Sequence, residues 1–160
     1  MIAPEMSLER FHLIVGDLRE ARKFADYTLT RHLHDKRTPT WQLIHRAFNL
    51  AMVVSYCRPF MRNLEGPDRD AREIADSPIW WDAKPLLDKQ RFELHKGILR
   101  QRNNIFAHSP TGERFSTPPT KGTQAIHPIF EPLNRDDTRM LRSIIKRWLD
   151  YLEPLKSQFS

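Results

Sequence analysis

Residues 41–60 are apolar on nearly every side. The run holds Trp41, Leu43, Ile44, Ala47, Phe48, Leu50, Ala51, Val53, Val54 and Phe60, spread around a helix rather than gathered into one stripe. Such a helix is stable in water only when other helices bury it or when it lies at a subunit interface. Thr38-Pro39-Thr40 marks its start, because proline is tolerated in the first turn, and Pro59 kinks or ends it. Its polar members, His45, Asn49, Ser55, Tyr56 and Arg58, must find partners or line a cleft. The rest of the chain has to supply the helices that cover this one.

Ser7 can cap a short helix through Leu8, Phe11, Ile14 and Val15, which Gly16 breaks. Asp17 then starts a second, with Glu20 three residues on in a capping-box arrangement. That helix buries Leu18, Ala21, Ala25, Leu29 and Leu33. Its end, Arg31-His32-Leu33-His34-Asp35, reads as a solvated terminus, since two histidines fall short of the three or four ligands of a zinc site. Residues 62–82 form a charged connector through Gly66-Pro67, whose Trp80-Trp81 end docks on the core or covers a groove. A third long helix starts at Asp82-Ala83-Lys84-Pro85. Residues 111–132 are rich in Thr, Pro and Gly and fit a short β-hairpin or irregular flap, with any strand held to an edge by the prolines. Asn134 caps the last helix, Asp136 and Asp137 suit its dipole, and Leu141, Ile144, Ile145, Trp148, Leu152 and Leu155 form its apolar face. The expectation is all-α: one domain over residues 1–160, a bundle of about four long helices with a flap between the last two.

The chain carries 26 Lys and Arg against 20 Asp and Glu, a net charge of +6. That excess favours polyanionic partners such as nucleic acid. Arg135, Arg139, Arg142 and Lys146 line one face of the last helix as a basic stripe suited to a phosphate backbone. Cys57 is the only cysteine, which excludes an internal disulfide and a cysteine-based metal cluster and reads as an inert core thiol. No signal segment or membrane span is legible, so the expected compartment is the cytoplasm. Neither a metal nor a cofactor is expected.

The third helix ends in Leu99-Arg100-Gln101-Arg102-Asn103-Asn104-Ile105-Phe106-Ala107-His108-Ser109-Pro110. Its apolar stripe runs Leu87, Leu94, Ile98, Ile105, with Phe92, Leu99 and Phe106 beside it. Arg102 sits four after Ile98 and three before Ile105, so a guanidinium points where the stripe should continue. A buried guanidinium needs anions or acceptors nearby. His108 follows just before Ser109-Pro110 stops the helix. A fixed cation near a titratable imidazole suits phosphodiester handling. Residues six apart are rotated about 120° off a shared face, so Arg102 and His108 converge only if the helix frays or a second copy supplies one of them.

The run Arg102-Asn103-Asn104-Ile105-Phe106-Ala107-His108 resembles the Arg-polar-x(3–5)-His signature of HEPN domains, small helical bundles of prokaryotic toxin and phage-defence systems. The resemblance covers the two central helices and, beyond them, only the architecture. It implies a homodimer whose motif helices meet, and a metal-independent endoribonuclease in which His108 is general acid or base and Arg102 holds the scissile phosphate. Asn103 and Asn104 would support that pair. Tyr56, Arg58, His95, Arg135, Arg139, Arg142 and Lys146 are candidate RNA contacts. RNA, a second copy, and an antitoxin or regulatory protein are the implied partners. Related members paired with nucleotidyltransferase antitoxins carry a tyrosine two after the histidine; here Pro110 stands there, so control through that tyrosine is not expected. A non-catalytic module of the same kind, binding nucleic acid, a nucleotide or a partner protein, is the alternative.

Overall fold

The computed structural model describes residues 8–60, 86–107 and 131–159, with no statement on the side chains of 103–107 and 158–159. Among these residues the chain is helical and has no strand. Four helices carry the fold: α1 Leu8–Thr30, α2 Pro39–Cys57, α3 Lys89–Ala107 and α4 Arg135–Leu152. Short 3-10 turns follow α1 at Leu33–Asp35, α2 at Arg58–Phe60 and α4 at Glu153–Phe159. Helices α1 and α3 each pack on both α2 and α4, so the four close into a ring around one core. None of the described helices is long and apolar enough to cross a membrane.

Gly16 does not break the first helix. Phe11, Ile14, Leu18, Ala21 and Ala25, all buried, recur at steps of three and four residues and form a continuous face on either side of it. A glycine in a helix interior costs about 1 kcal/mol relative to alanine, while each large apolar side chain buried contributes roughly 1.5–3 kcal/mol. Packing wins. The helix ends instead at Thr30, where His32 takes a left-handed backbone (φ 51°, ψ 42°) that glycine normally occupies. Leu33 is buried beyond that reversal, in the 3-10 turn rather than on the helix.

Helix α2 starts as expected, with Pro39 at its first position after Thr38, and stops at Cys57 ahead of the turn that holds Pro59. Its C-terminal half is core: Met52, Val53, Tyr56 and Cys57 are fully buried. Ahead of that stretch Leu43 is 68% and Leu50 38% exposed, with exposed Ala47 between them. Polar residues of α2 and the turn after it find partners, as Asn49 meets His45 at 3.2 Å and Arg58 meets Asp17 at 3.2 Å.

Helix α4 follows the sequence closely. Asn134 Oδ1 accepts the Asp137 N–H at 2.8 Å, and Leu141, Ile144, Ile145, Trp148 and Leu152 are buried in one row. For α3 the start expected at 82–85 lies outside the described residues, as do Trp80, Trp81 and residues 111–130 of the flap. The motif helix itself begins at Lys89, where Asp88 Oδ1 accepts the Arg91 N–H at 2.9 Å, a cap three residues ahead of the donor.

A Cβ added at Gly16 would meet nothing within 4 Å. Gly16→Ala is therefore expected to stabilise the fold by about 1 kcal/mol, read as a higher midpoint in urea at unchanged slope. A loss of stability would mean that the helix is interrupted there after all.

Candidate functional site

The position of α3 is set in the core. Its residues His95, Ile98 and Leu99 face inward, as does Leu87 just ahead of it, and His95 is fully buried. The Tyr56 hydroxyl of α2 lies 2.6 Å from His95 Nδ1. The Phe60 ring stands edge-on to the same imidazole, 4.8 Å between centroids, and Trp148 of α4 lies 5.2 Å from Phe60. Burial pushes the Tyr56 phenol well up and lowers His95 to about 4. Both groups are thus neutral near pH 7, and the phenol, the stronger acid of the two neutral donors, donates to the imidazole nitrogen.

Arg102 comes seven residues after His95, two helical turns along the same face. It is half-buried and lies within electrostatic reach of Cys57. The Cys57 thiol reaches toward the Ile98 carbonyl at 3.9 Å. Burial lowers the Arg102 pKa, with Cys57 opposing, though a guanidinium keeps its charge in any such setting. Burial also pushes the Cys57 thiol up to about 12, Arg102 opposing, so this cysteine is a protonated core thiol and no nucleophile. Beside Arg102, Gln101 Nε2 donates to the Glu131 carbonyl at 2.7 Å, tying the motif helix to residues 131–134 ahead of α4. Asn103 and Asn104 lie in α3 with side chains outside the description, and His108 and Pro110 lie outside the described residues. Of the expected catalytic pair, the structure thus positions Arg102.

The expected RNA contacts divide into two groups. Tyr56 and His95 are corrected: both are fully buried and bonded to each other, so neither offers a surface to a polyanion. Arg58 and the four cations of the α4 stripe reach the surface, yet each is paired within the chain. Arg58 meets Asp17, Arg135 meets Asp35, Arg139 meets Asp136, Arg142 meets Asp26 and Lys146 meets Asp150. The stripe is a mixed-charge ladder rather than a bare positive face.

A second polar cluster joins the turn after α1 to α2 and α4. His34, expected at a solvated end, is half-buried, with Nε2 3.1 Å from Thr138 Oγ1. Its ring meets His45 edge-on at 4.6 Å. Asn49, fully buried, bridges His45 to the Leu133 backbone N–H, which its Oδ1 accepts at 2.8 Å. The signal in the sequence was faint: His45 and Asn49 stand four apart in an apolar run, and His34 follows an apolar Leu33. Among the described residues no group of three or more His, Cys, Asp or Glu is placed to hold a metal ion.

No known relative fixes the family. The chain matches no family model, no curated protein and no solved structure. The site must be read from its own geometry.

The buried His95 makes folding sensitive to acid. An unfolded imidazole takes up a proton near 6.5 and the folded one only near about 4. Protons therefore favour the unfolded chain, and stability complete above pH 6.5 declines as pH falls toward 4, by about 3 kcal/mol across that window. Urea unfolding at stepped pH should show this slope in the wild type and a shallower one in His95→Gln. Equal slopes would show that His95 titrates freely in the folded state.

Proposed function

We propose that this chain is a metal-independent endoribonuclease of HEPN type, acting as a homodimer in a toxin or defence role. The observation that carries the reading is Arg102: a permanent cation held half-buried on the core-facing side of α3, at the end of a helix whose rotation the Tyr56–His95 bond fixes. A guanidinium keeps its charge in such a setting, so this face of α3 carries a fixed cation next to the buried Cys57. The charge-to-phosphate match is direct, because a guanidinium binds phosphate oxygens in a bidentate fork.

In the reaction proposed, His108 takes the proton from a ribose 2′-hydroxyl, whose oxygen attacks the adjacent phosphorus. The P–O5′ bond breaks, the departing 5′ oxygen picks up a proton, and the product carries a 2′,3′-cyclic phosphate. Arg102 neutralises the charge that builds on the phosphoryl oxygens, and an imidazole near neutrality suits the proton transfers. The roughly 120° offset between positions 102 and 108 is what makes a second copy part of the proposal, each chain completing the other's pair. Asn103 and Asn104 would orient the pair or the phosphate.

The second reading is a non-catalytic module of the same shape that binds a partner protein. It is favoured by the ion-paired stripe on α4 and by the exposed Leu43 and Leu50 on α2.

Purified protein incubated with RNA in excess EDTA tests the choice. The ribonuclease reading expects cleavage with cyclic-phosphate ends, reduced about 100-fold or more in both Arg102→Ala and His108→Ala, with circular dichroism confirming that each variant is folded. Absence of cleavage by the wild type favours the partner module. Cleavage that survives both substitutions removes these two residues from the chemistry.

A further inference from the structure

We propose that His45 is a proton-sensitive latch, whose protonation detaches residues 131–134, the segment that leads into α4, from α2. The inference goes beyond the ribonuclease reading and holds whether or not the chain cuts RNA.

The argument rests on which atoms can donate. The Leu133 N–H is a donor only, so the Asn49 atom that it meets at 2.8 Å is the carbonyl oxygen Oδ1. The other end of that amide, Nδ2, can only donate, and it faces His45 Nε2 at 3.2 Å. His45 Nε2 must therefore carry a lone pair, which fixes the ring as neutral with its proton on Nδ1. A proton added at Nε2 turns that acceptor into a donor aimed at a donor. Asn49 cannot rescue the contact by flipping, because a flip would set its NH2 group against the Leu133 N–H. Being fully buried, it cannot turn to water either. A donor–donor clash at a buried amide costs more than the bond itself contributed.

His34 behaves differently. The Thr138 hydroxyl gives its proton to the Asn134 carbonyl at 2.8 Å, so it accepts from His34 Nε2–H, a bond that survives protonation of His34. Of the two rings in edge-on contact, only His45 is locked in a neutral form by its partner. The charged and titratable groups around the pair offer a new cation little help. Across the 3-10 turn, His32 ahead of it and Asp35 at its end are 4.0 Å apart. Asp35 is also engaged by Arg135 from the first turn of α4, and burial, with Arg135 adding to it, lowers His34. Helix α1 presents Phe24 and Tyr27 to Phe48, on the adjacent face of α2. Burial, with His34 adding to it, holds His45 below the usual imidazole value of 6.5. The latch is accordingly closed at neutral pH and opens as pH falls below that value.

What opens is not remote from the motif helix. Residues 131–134 are held at one end by Asn49 through Leu133 and at the other by Gln101, adjacent to Arg102, through Glu131. Releasing the α2 end leaves the motif helix tied to a segment that α2 no longer holds.

Amide hydrogen exchange followed by NMR between pH 7.5 and 5 tests the latch on the intact protein. The protection factor of the Leu133 amide should fall about tenfold or more relative to that of Leu141, a core amide reporting global unfolding. In His45→Gln, whose side-chain oxygen accepts from Asn49 at any pH, Leu133 protection should stay level. Imidazole nitrogen shifts of the wild type at pH 7.5 should report the Nδ1–H tautomer for His45, a measurement that needs no variant. A Nε2–H tautomer, or Leu133 protection that follows Leu141 at every pH, overturns the proposal. So does an equal fall in His45→Gln.

Discussion

The arrangement of three of the four helices depends on the bond between Tyr56 and His95. It lies where α2, α3 and α4 meet, enclosed by Phe60 and Trp148. Two polar groups sealed from water at this point would destabilise the core by several kcal/mol if unmatched. Matched, they do what a purely apolar contact does not: they specify one rotation of α3 about its axis, because only that rotation brings Nδ1 within 2.6 Å of the hydroxyl. Ile98, Leu99 and Arg102 then take their places on the same face. The placement of the guanidinium is thus a consequence of a bond made two turns earlier.

Helix α1 is held by a different principle. Its face is small and regular, with Ala21 and Ala25 buried in it, and its stability comes chiefly from area, the exposed pairs of Asp17 with Arg58 and Asp26 with Arg142 adding little. Such a face tolerates the glycine at 16. By contrast the described contacts of α3 include specific directional ones: the Asp88 cap, the Tyr56 bond and the Gln101 bond to Glu131. A helix fixed by few directional bonds is easier to displace as a unit than one fixed by a broad apolar face.

Elements whose signals are local were legible in the sequence. Pro39 and Pro59 bracket α2, Asn134 caps α4, and the α4 apolar row matches its buried residues as far as Leu152, Leu155 falling in the 3-10 turn beyond the helix. The misplaced break at Gly16 shows a local preference overruled by a face that continues past it. The polar residues were misread for another reason. His95 is matched in the core by Tyr56, 39 positions away with a hydroxyl to give, and the half-buried His34 by Thr138, 104 positions away. No periodicity encodes such matches. Likewise the α4 stripe is visible as a row of cations, while the carboxylates of Asp26 and Asp35 that neutralise part of it come from elsewhere in the chain. For the candidate site, the inward direction of Arg102 was readable from its spacing to Ile98, and its dependence on His95 was not.

The paired stripe bears on how a polyanion could be held here. Exposed ion pairs contribute roughly 0–1 kcal/mol each, so a phosphate can displace a carboxylate from Arg139, Arg142 or Lys146 at small cost. Each exchange, however, returns an aspartate to solvent close to the incoming anion, and that repulsion offsets part of what the new contact contributes. A stripe built this way binds weakly and loses its grip quickly as salt rises. Arg102 differs in placement: its partial burial shields it from salt more than the exposed stripe is. In the proposed ribonuclease, the precise hold on one phosphate therefore falls to Arg102, and the stripe contributes no more than loose guidance along the strand.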